Sequence, residues 1–466
     1  MVNVLQAIVE HRRETLANSP DVSGLSPSTK SFYDALKQPH FGFIMECKMA
    51  SPSKGLIRED FNLEEIVPIY NQYADAISVL TEDRFFRGSY ANLQYVSEHT
   101  DKPVLCKDFI LEPKQVRQAR FYGADAILLM LSVLNDQEYT ACQKEAEKYS
   151  LDILTEVHNE EELERALALE ANIIGINNRN LKDLSIDLTH TERLVAAIPS
   201  DTIVVTESGI ATHDDVLTLS PLADACLVGS SLMSQNDLEL AAKQLVYGDI
   251  KVCGVKDQPS ADILSELPVS SLGKIFVDAS PRRVVEAGFT SNNPTIGVFQ
   301  NHSIEDVNDS VIQHQLSGVQ LHGDESTEYV ETLRKKLPSS CLISKVISIR
   351  EGGSLPVIPE YSVDEILLDT QVGSLKGGTG KPFDWSIITE LKKQYPQFKF
   401  RVAGGVTPDN IRQLKSFGIC AVDVCGGTEA SPGVKSQERI EKLFANARAL
   451  SGRSHLGDTP RNDQRG

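Results

Sequence analysis

Two successive sets of eight apolar runs constrain this chain more than any other feature. The first set reads FGFIMECKM, DAISVLTE, PVLCKDFI, ADAILLML, DILTEVH, NIIGINNR, TIVVTESG and ACLVGSS, with amphipathic segments such as DQEYTACQKEAEKYS and NEEELERALALEA between the runs. Near-continuous apolar strands alternating with helical segments indicate parallel strands buried on both faces. Eight such units in succession predict a closed (β/α)8 barrel. The pattern then restarts with IKVCGV, GKIFVDAS, TIGVFQ, GVQLHG, LISKVIS, EILLDT, KFRVAGG and AVDVCGG. The two ends also match: VVTESGI, a helix and DACLVGSS parallel FRVAGGV, a helix and AVDVCGG. A repeat of this size predicts an α/β fold of two tandem (β/α)8 TIM barrels, residues 1–249 and 250–452. Helices ahead of Phe43 are expected to cap one end of the first barrel, and 453–466 reads as a disordered polar tail.

Composition narrows the partners. A net charge of -19 over 466 residues argues against nucleic acid or an anionic membrane as the main partner. A small anionic substrate in a local basic pocket stays open. No apolar run approaches the roughly 18–20 residues of a membrane-spanning helix, and MVNVLQAIVEHRRETLANS lacks a signal-peptide layout. The eight cysteines are scattered without a CxxC pair, which suits reduced thiols in a cytoplasmic protein rather than a disulfide framework or metal site. Two barrels in one chain suggest a monomer.

Side chains at the C-terminal ends of barrel strands converge on one mouth. In the first half those ends carry Glu46 and Lys48, Lys107, Glu156, Asn177 and Arg179, and Glu207 with Ser208. Glu46 and Lys48 share a strand face, because side chains alternate. Any one of these charges reads equally well as a surface ion pair. Together, in register with six strands, they read as acid/base groups that tune one another. Ser208-Gly209 and Gly229-Ser230-Ser231 follow strands seven and eight, where barrels often bind phosphate. Ser51, Ser53 and Lys54 can complete that site. The segment Thr81–Tyr90 reads as a mobile lid.

ECKMASPSKG, LTEDRFFRGSY, LCKDFI, LTEVHNEEEL, GINNRNL, TESGI and LVGSSLM, all in order over residues 1–248, resemble the indole-3-glycerol phosphate synthases of tryptophan biosynthesis. That family closes the indole ring of 1-(2-carboxyphenylamino)-1-deoxyribulose 5-phosphate with loss of carbon dioxide and water. The resemblance implies Lys107 as general acid and Glu156 as general base, with Glu46 and Lys48 assisting. It implies that Glu207 and Asn177 position the substrate, that Arg179 sits near its carboxylate, and that Phe86, Phe109 and Leu128 form a slot for the anthranilate ring. On its own, Phe86 reads equally as a core residue.

The second set of strand ends carries Cys253, Arg282, His322, Asp369 and Asp423. A lone cysteine at a strand end is more often a small buried apolar group. With Asp369 ending strand six, thiolate and carboxyl form a base–acid pair. Arg282 can grip a carboxylate bidentately. Gly-rich loops contain Gly378, Gly404, Gly405, Gly426 and Gly427; the Gly378 loop, KGGTGKP, departs from a Walker loop at both ends. VCGV, SPRRV, GVFQN, VQLHG, LLDT, GGTGKPFDW, AGGVTPDN and AVDVCGGTEASPGVK, over about 250–450, resemble phosphoribosylanthranilate isomerases. The resemblance implies an Amadori rearrangement with Cys253 as base at C2, Asp369 as acid on the ring oxygen, Arg282 on the anthranilate carboxylate and His322 lining the site. Lys256 stands where Thr is usual, and DVCGG replaces the common DVSSG.

The isomerase product is the synthase substrate, so the two resemblances predict consecutive steps on phosphosugar–anthranilate substrates, without metal or organic cofactor. A related phosphosugar isomerase of histidine biosynthesis would explain the phosphate loops but not the Glu46, Lys48, Lys107 and Glu156 set. A barrel retained only as a scaffold would show degraded catalytic residues, and neither set is degraded.

Overall fold

In the computed structural model, residues 4–16, 21–180, 185–284, 288–350, 355–372, 375–376 and 380–453 are described. The compact units divide at 242/243 and 448/449, with the segment beginning at Ala449 grouped with the first unit.

The first unit is a closed barrel of eight parallel strands: β1 Gly42–Cys47, β2 Ala76–Leu80, β3 Val104–Lys107, β4 Ala126–Met130, β5 Asp152–Val157, β6 Ile173–Asn177, β7 Ile203–Glu207 and β8 Ala225–Val228. Each strand pairs with its neighbours in sequence, and β1 closes on β8 through Gly42↔Ala225 to Met45↔Val228. The strands are buried on both faces, which is why they read as unbroken apolar runs. Helix Phe32–Leu36, capped by Ser31, puts Phe32 and Leu36 into the core cluster with Ile44, Ala76, Leu105 and Ala225 at the N-terminal end of the barrel. Helix Val4–Leu16 lies instead at the mouth, so the expected cap is split between the two ends.

The second unit closes in the same way. Its strands are β9 Asp249–Cys253, β10 Ser271–Ile275, β11 Thr295–Phe299, β12 Gly318–Leu321, β13 Leu342–Arg350, β14 Glu365–Val372, β15 Phe400–Val402 and β16 Ala421–Val424. They pair sequentially, β13 joins β14 from Ser344↔Glu365 to Arg350↔Gln371, and β9 joins β16. Two connections depart from strand–helix alternation. Among the described residues, neither 276–284 nor 355–364 contains a helix.

The chain end differs from the expected layout. The sequence pattern places 449–452 in the second barrel and 453 in the tail, yet 449–453 pack on the first unit. Phe41 N donates to Ala449 O at 2.9 Å, Ser451 Oγ to Asp224 Oδ1 at 2.9 Å, and Arg453 Nη2 to Pro199 O at 2.7 Å. The first of these satisfies a backbone N–H just ahead of β1, and the other two tie the segment to residues ahead of β8 and β7. Residues 454–466 lie outside the described residues. Among the described residues no helix is long and apolar enough to cross a membrane, and all eight cysteines are free thiols.

Candidate active sites

The ends of β1, β3 and β7 bring four charges into one ion-paired set. Lys107 Nζ lies 2.8 Å from Glu207 Oε2 and 3.3 Å from Glu46 Oε2, and the Lys48 ammonium contacts Glu46 Oε1. Burial opposes the charge on Lys107, but Glu207, Glu46 and Glu156 outweigh it and hold the ammonium protonated. Burial likewise opposes ionisation of Glu46, yet Lys107 and Lys48 keep its carboxyl low. Glu207 goes the other way. Burial raises it, Glu156 and Glu46 add to that, and it titrates at about 7 despite Lys107. The strand interior residue Gly175 on β6 makes this possible, since a Cβ there would collide with Glu207 Oε1.

Above these groups opens a cavity of about 300 Å³. Phe86 and Phe109, with ring centroids 6.1 Å apart, and Leu128 line its apolar side. Ser51, Ser53, Ser208, Gly209, Gly229 and Ser230 line another part, and Glu46, Lys48, Lys107, Glu156, Asn177 and Arg179 also border it. Glu207 does not line the cavity and reaches its edge only through the ion pair with Lys107. Ser208 and Gly209 both take left-handed φ values of 67° and 92°.

Sequence reasoning missed His158. Its Nε2 lies 3.2 Å from Glu156 and its Nδ1 3.3 Å from Glu162. Burial opposes its charge, but these carboxylates raise it to about 10. Burial also opposes ionisation of Glu156, and the His158 partner keeps that carboxyl low. The only available signal was a His two positions after a site Glu on a strand end. Because the folded value lies above the unfolded one, this pairing contributes stability below about 6.5 that is lost as pH rises through about 10. His158→Ala is therefore expected to lower the melting temperature most near pH 6, with the deficit shrinking towards pH 10. Thermal melts across that range check this, and a deficit independent of pH contradicts it.

The segment expected as a mobile lid is pinned. The buried Glu82 carboxylate accepts the N–H groups of Arg84, Phe85 and Phe86 at 2.7–3.1 Å. At its ends, Thr81 Oγ1 and Tyr90 OH donate to Asp108 Oδ2 at 2.6 and 3.1 Å, and Arg12 Nε donates to Asp108 Oδ1 at 2.7 Å. This frame holds Phe86 over the cavity.

In the second barrel, Cys253 is buried at the end of β9. Asp369 on β14 accepts from Thr370 N at 2.7 Å through Oδ1, and its Oδ2 lies 3.4 Å from His322 Nε2. Gly404, at φ 72°, leaves room for it, since a Cβ there would lie 2.7 Å from Asp369 Oδ1. Gly405 shares the left-handed conformation, and Gly426 and Gly427 form a tight turn after β16. Gly378 lies outside the described residues.

Two expectations change here. The sequence pattern puts Asp423 with the strand ends at the mouth, as a substrate-binding candidate, but it sits one layer below. Its Oδ2 accepts from Lys251 Nζ at 2.8 Å inside the barrel, where Gln320 also accepts from that ammonium at 2.6 Å. Strand alternation is the reason: Cys425, two residues on, occupies the mouth layer. Arg282 does form a bidentate clamp, but on Glu429, with Nε to Oε1 at 2.9 Å and Nη2 to Oε2 at 2.8 Å. Lys435, buried beneath Cys253, donates to Cys253 O at 2.6 Å and contacts Glu429 Oε1 at 3.3 Å. Neither Glu429 nor Lys435 carried a local sequence signal.

Fold and sites define a tandem TIM-barrel protein with a separate cluster of ionisable side chains at each barrel mouth. A family model described as indole-3-glycerol phosphate synthase matches residues 2–245, and one described as N-(5'-phosphoribosyl)anthranilate (PRA) isomerase matches 250–446. Tryptophan biosynthesis protein TrpCF of Vibrio parahaemolyticus is 44% identical over 95% of this chain and 94% of its own length. That of Vibrio cholerae is 43% identical over 91% and 90%. The crystal structure of phosphoribosyl anthranilate isomerase from Thermotoga maritima is 28% identical, covering 43% of this chain and 98% of its own, with a TM-score of 0.37. The chain belongs to the bifunctional family that joins indole-3-glycerol phosphate synthase to phosphoribosylanthranilate isomerase. It carries both activities of tryptophan biosynthesis, the synthase in the N-terminal barrel and the isomerase in the C-terminal barrel.

Proposed function

We propose that each mouth performs its step with the residues described above. In the C-terminal barrel, Asp369 gives a proton to the ribose ring oxygen of N-(5-phosphoribosyl)anthranilate as the ring opens to the iminium. The Cys253 thiolate then removes the C2 proton, and the enolamine becomes the ketone 1-(2-carboxyphenylamino)-1-deoxyribulose 5-phosphate. His322, 3.4 Å from Asp369, keeps the carboxyl aimed. With its Nε–Nη2 edge on Glu429, Arg282 keeps its Nη1 side for the anthranilate carboxylate. The turns at Gly404–Gly405 and Gly426–Gly427 offer backbone N–H groups to phosphate.

In the N-terminal barrel, Phe86, Phe109 and Leu128 hold the anthranilate ring. Ser51, Ser53, Ser208, Gly209, Gly229 and Ser230 hold the phosphate. Lys107 protonates the ketone oxygen as the ring carbon attacks. Carbon dioxide leaves from the attacking ring carbon and restores the aromatic ring, and Lys48 with Glu46 then assists loss of the hydroxyl as water while Glu156 takes the proton from the adjacent methylene carbon. Asn177 and Arg179 orient the carboxylate, and Glu207 holds Lys107. The observation that carries this reading is Lys107 suspended between two buried carboxylates at the edge of an aromatic-walled cavity.

Purified protein given phosphoribosylanthranilate alone is expected to yield indole-3-glycerol phosphate and carbon dioxide with no added metal or cofactor. Mass spectrometry of the products, with a chelator present, checks this. Arrest at the ribulose intermediate would defeat the synthase assignment, and no turnover of the first substrate would defeat the isomerase assignment.

A further inference from the structure

The clamp on Arg282 engages only one edge of its guanidinium. Glu429 accepts from Nε at 2.9 and 3.0 Å and from Nη2 at 2.8 Å. Nη1 donates to no acceptor among the described residues. A guanidinium carries five N–H groups in one plane, so the end formed by Nη1 and the second hydrogen of Nη2 can still grip another carboxylate bidentately. The arginine also stands beside the proposed base. Its stem crosses Gly254, the residue after Cys253, where a Cβ would lie 2.9 Å from Arg282 Cδ. The Arg282 side chain stays 20% exposed, whereas that of Glu429 is almost wholly buried.

Glu429 is itself held from behind. A short hairpin pairs it with Lys435. Lys435 Nζ lies 3.3 Å from Glu429 Oε1 and donates to Cys253 O at 2.6 Å. In the turn of the hairpin, Gly433 N donates to the same Oε1 at 3.1 Å, and Cys425 Sγ donates to it at 3.9 Å. Burial opposes ionisation of Glu429, yet Arg282 and Lys435 keep its carboxyl low. Two cations around one carboxylate leave a positive charge to spare, which suits an incoming anion. A long arginine fixed in place before the substrate arrives also spares the cost of ordering it on binding.

We propose that Glu429 is a positioning residue for isomerisation, its clamp holding Arg282 as a preformed receptor for a carboxylate ortho to the reacting nitrogen. This rests on the reading of Arg282 as the contact to the anthranilate carboxylate. Glu429 acts through Arg282 and touches no substrate atom. Through Lys435 the same carboxylate is tied to the backbone of Cys253, so receptor and base keep a fixed separation. Substrate selection follows from that separation. An N-ribosylated aniline with a neighbouring carboxylate meets both groups, and one without it leaves the open Arg282 edge unused.

The test compares N-(5-phosphoribosyl)anthranilate with N-(5-phosphoribosyl)aniline, which lacks the carboxylate, as isomerase substrates. Full-length wild type, Glu429→Gln, Glu429→Asp and Arg282→Met are assayed on both. Wild type is expected to favour the carboxylated substrate by roughly 10–100-fold in kcat/KM, the range of a charge-assisted hydrogen bond. Glu429→Gln keeps the shape and loses the charge, and is expected to shrink that preference about tenfold, chiefly through KM. Glu429→Asp keeps the charge that Lys435 needs but falls short of Arg282. Its preference is expected between the other two, and it carries the test if the glutamine variant does not fold. Damage to the barrel alone would lower both substrates together. Equal losses on the two substrates, or an unchanged preference, therefore overturn the proposal. If Arg282→Met keeps the wild-type preference, the reading of Arg282 falls and takes the proposal with it, so the variant that fails tells the two apart.

Discussion

Lys107→Ala is expected to lower kcat for indole ring closure by at least about a thousandfold, and to leave the isomerase step within about twofold of wild type. Two losses combine in the first figure. The general acid disappears, which alone removes roughly 10²–10⁴-fold. The buried Glu46 and Glu207 also lose the ammonium that sits 3.3 and 2.8 Å from them, and an uncompensated buried charge relaxes or takes up a proton. Glu207 already titrates at about 7, so it is the carboxyl that yields first. Lys107→Arg separates charge from reach: it keeps a cation between the carboxylates but places it differently, and it is expected to fold well and remain slow. Single-turnover assays of each step decide the matter. Ring closure retained in Lys107→Ala would remove Lys107 from the mechanism.

Cys253→Ala is expected to show the converse pattern, with isomerisation down by roughly 10²–10⁴-fold and ring closure unaffected. The sulfur occupies a packed position, since a Cβ on Gly273 would lie only 2.6 Å from it. Alanine therefore leaves a small void as well as no base. Cys253→Ser fills that space with a hydroxyl that cannot ionise near neutral pH, so it isolates the chemistry from the packing. Both variants are expected to fail at the same step. An active serine variant would point to a role in packing and not in proton transfer.

Most of the architecture was legible because a parallel barrel hides both faces of its strands. Runs such as AILLM of β4 and IVVTE of β7 announce themselves without alternation. The working groups of the first mouth were legible for a related reason: Glu46, Lys107 and Glu207 each end an apolar run, where a charge needs a cleft. Side-chain partnerships across the chain were not legible. Arg282 and Glu429 are separated by 147 positions, and Lys435 and Cys253 by 182. No periodicity encodes such pairs. The depth of Asp423 was misjudged because the last strand was read as ending one layer early. The return of 449–453 to the first unit was missed because a short polar segment looks the same whether or not a backbone edge awaits it.

The central claim is that two independent mouths on one chain catalyse consecutive steps. The most direct measurement supplies phosphoribosylanthranilate to Lys107→Ala, to Cys253→Ala and to an equal mixture, and follows both products over time. The account predicts that Lys107→Ala accumulates the ribulose intermediate, that Cys253→Ala leaves the substrate untouched, and that the mixture forms indole-3-glycerol phosphate. Formation of that product by either variant alone, or failure of both steps in either one, would contradict it.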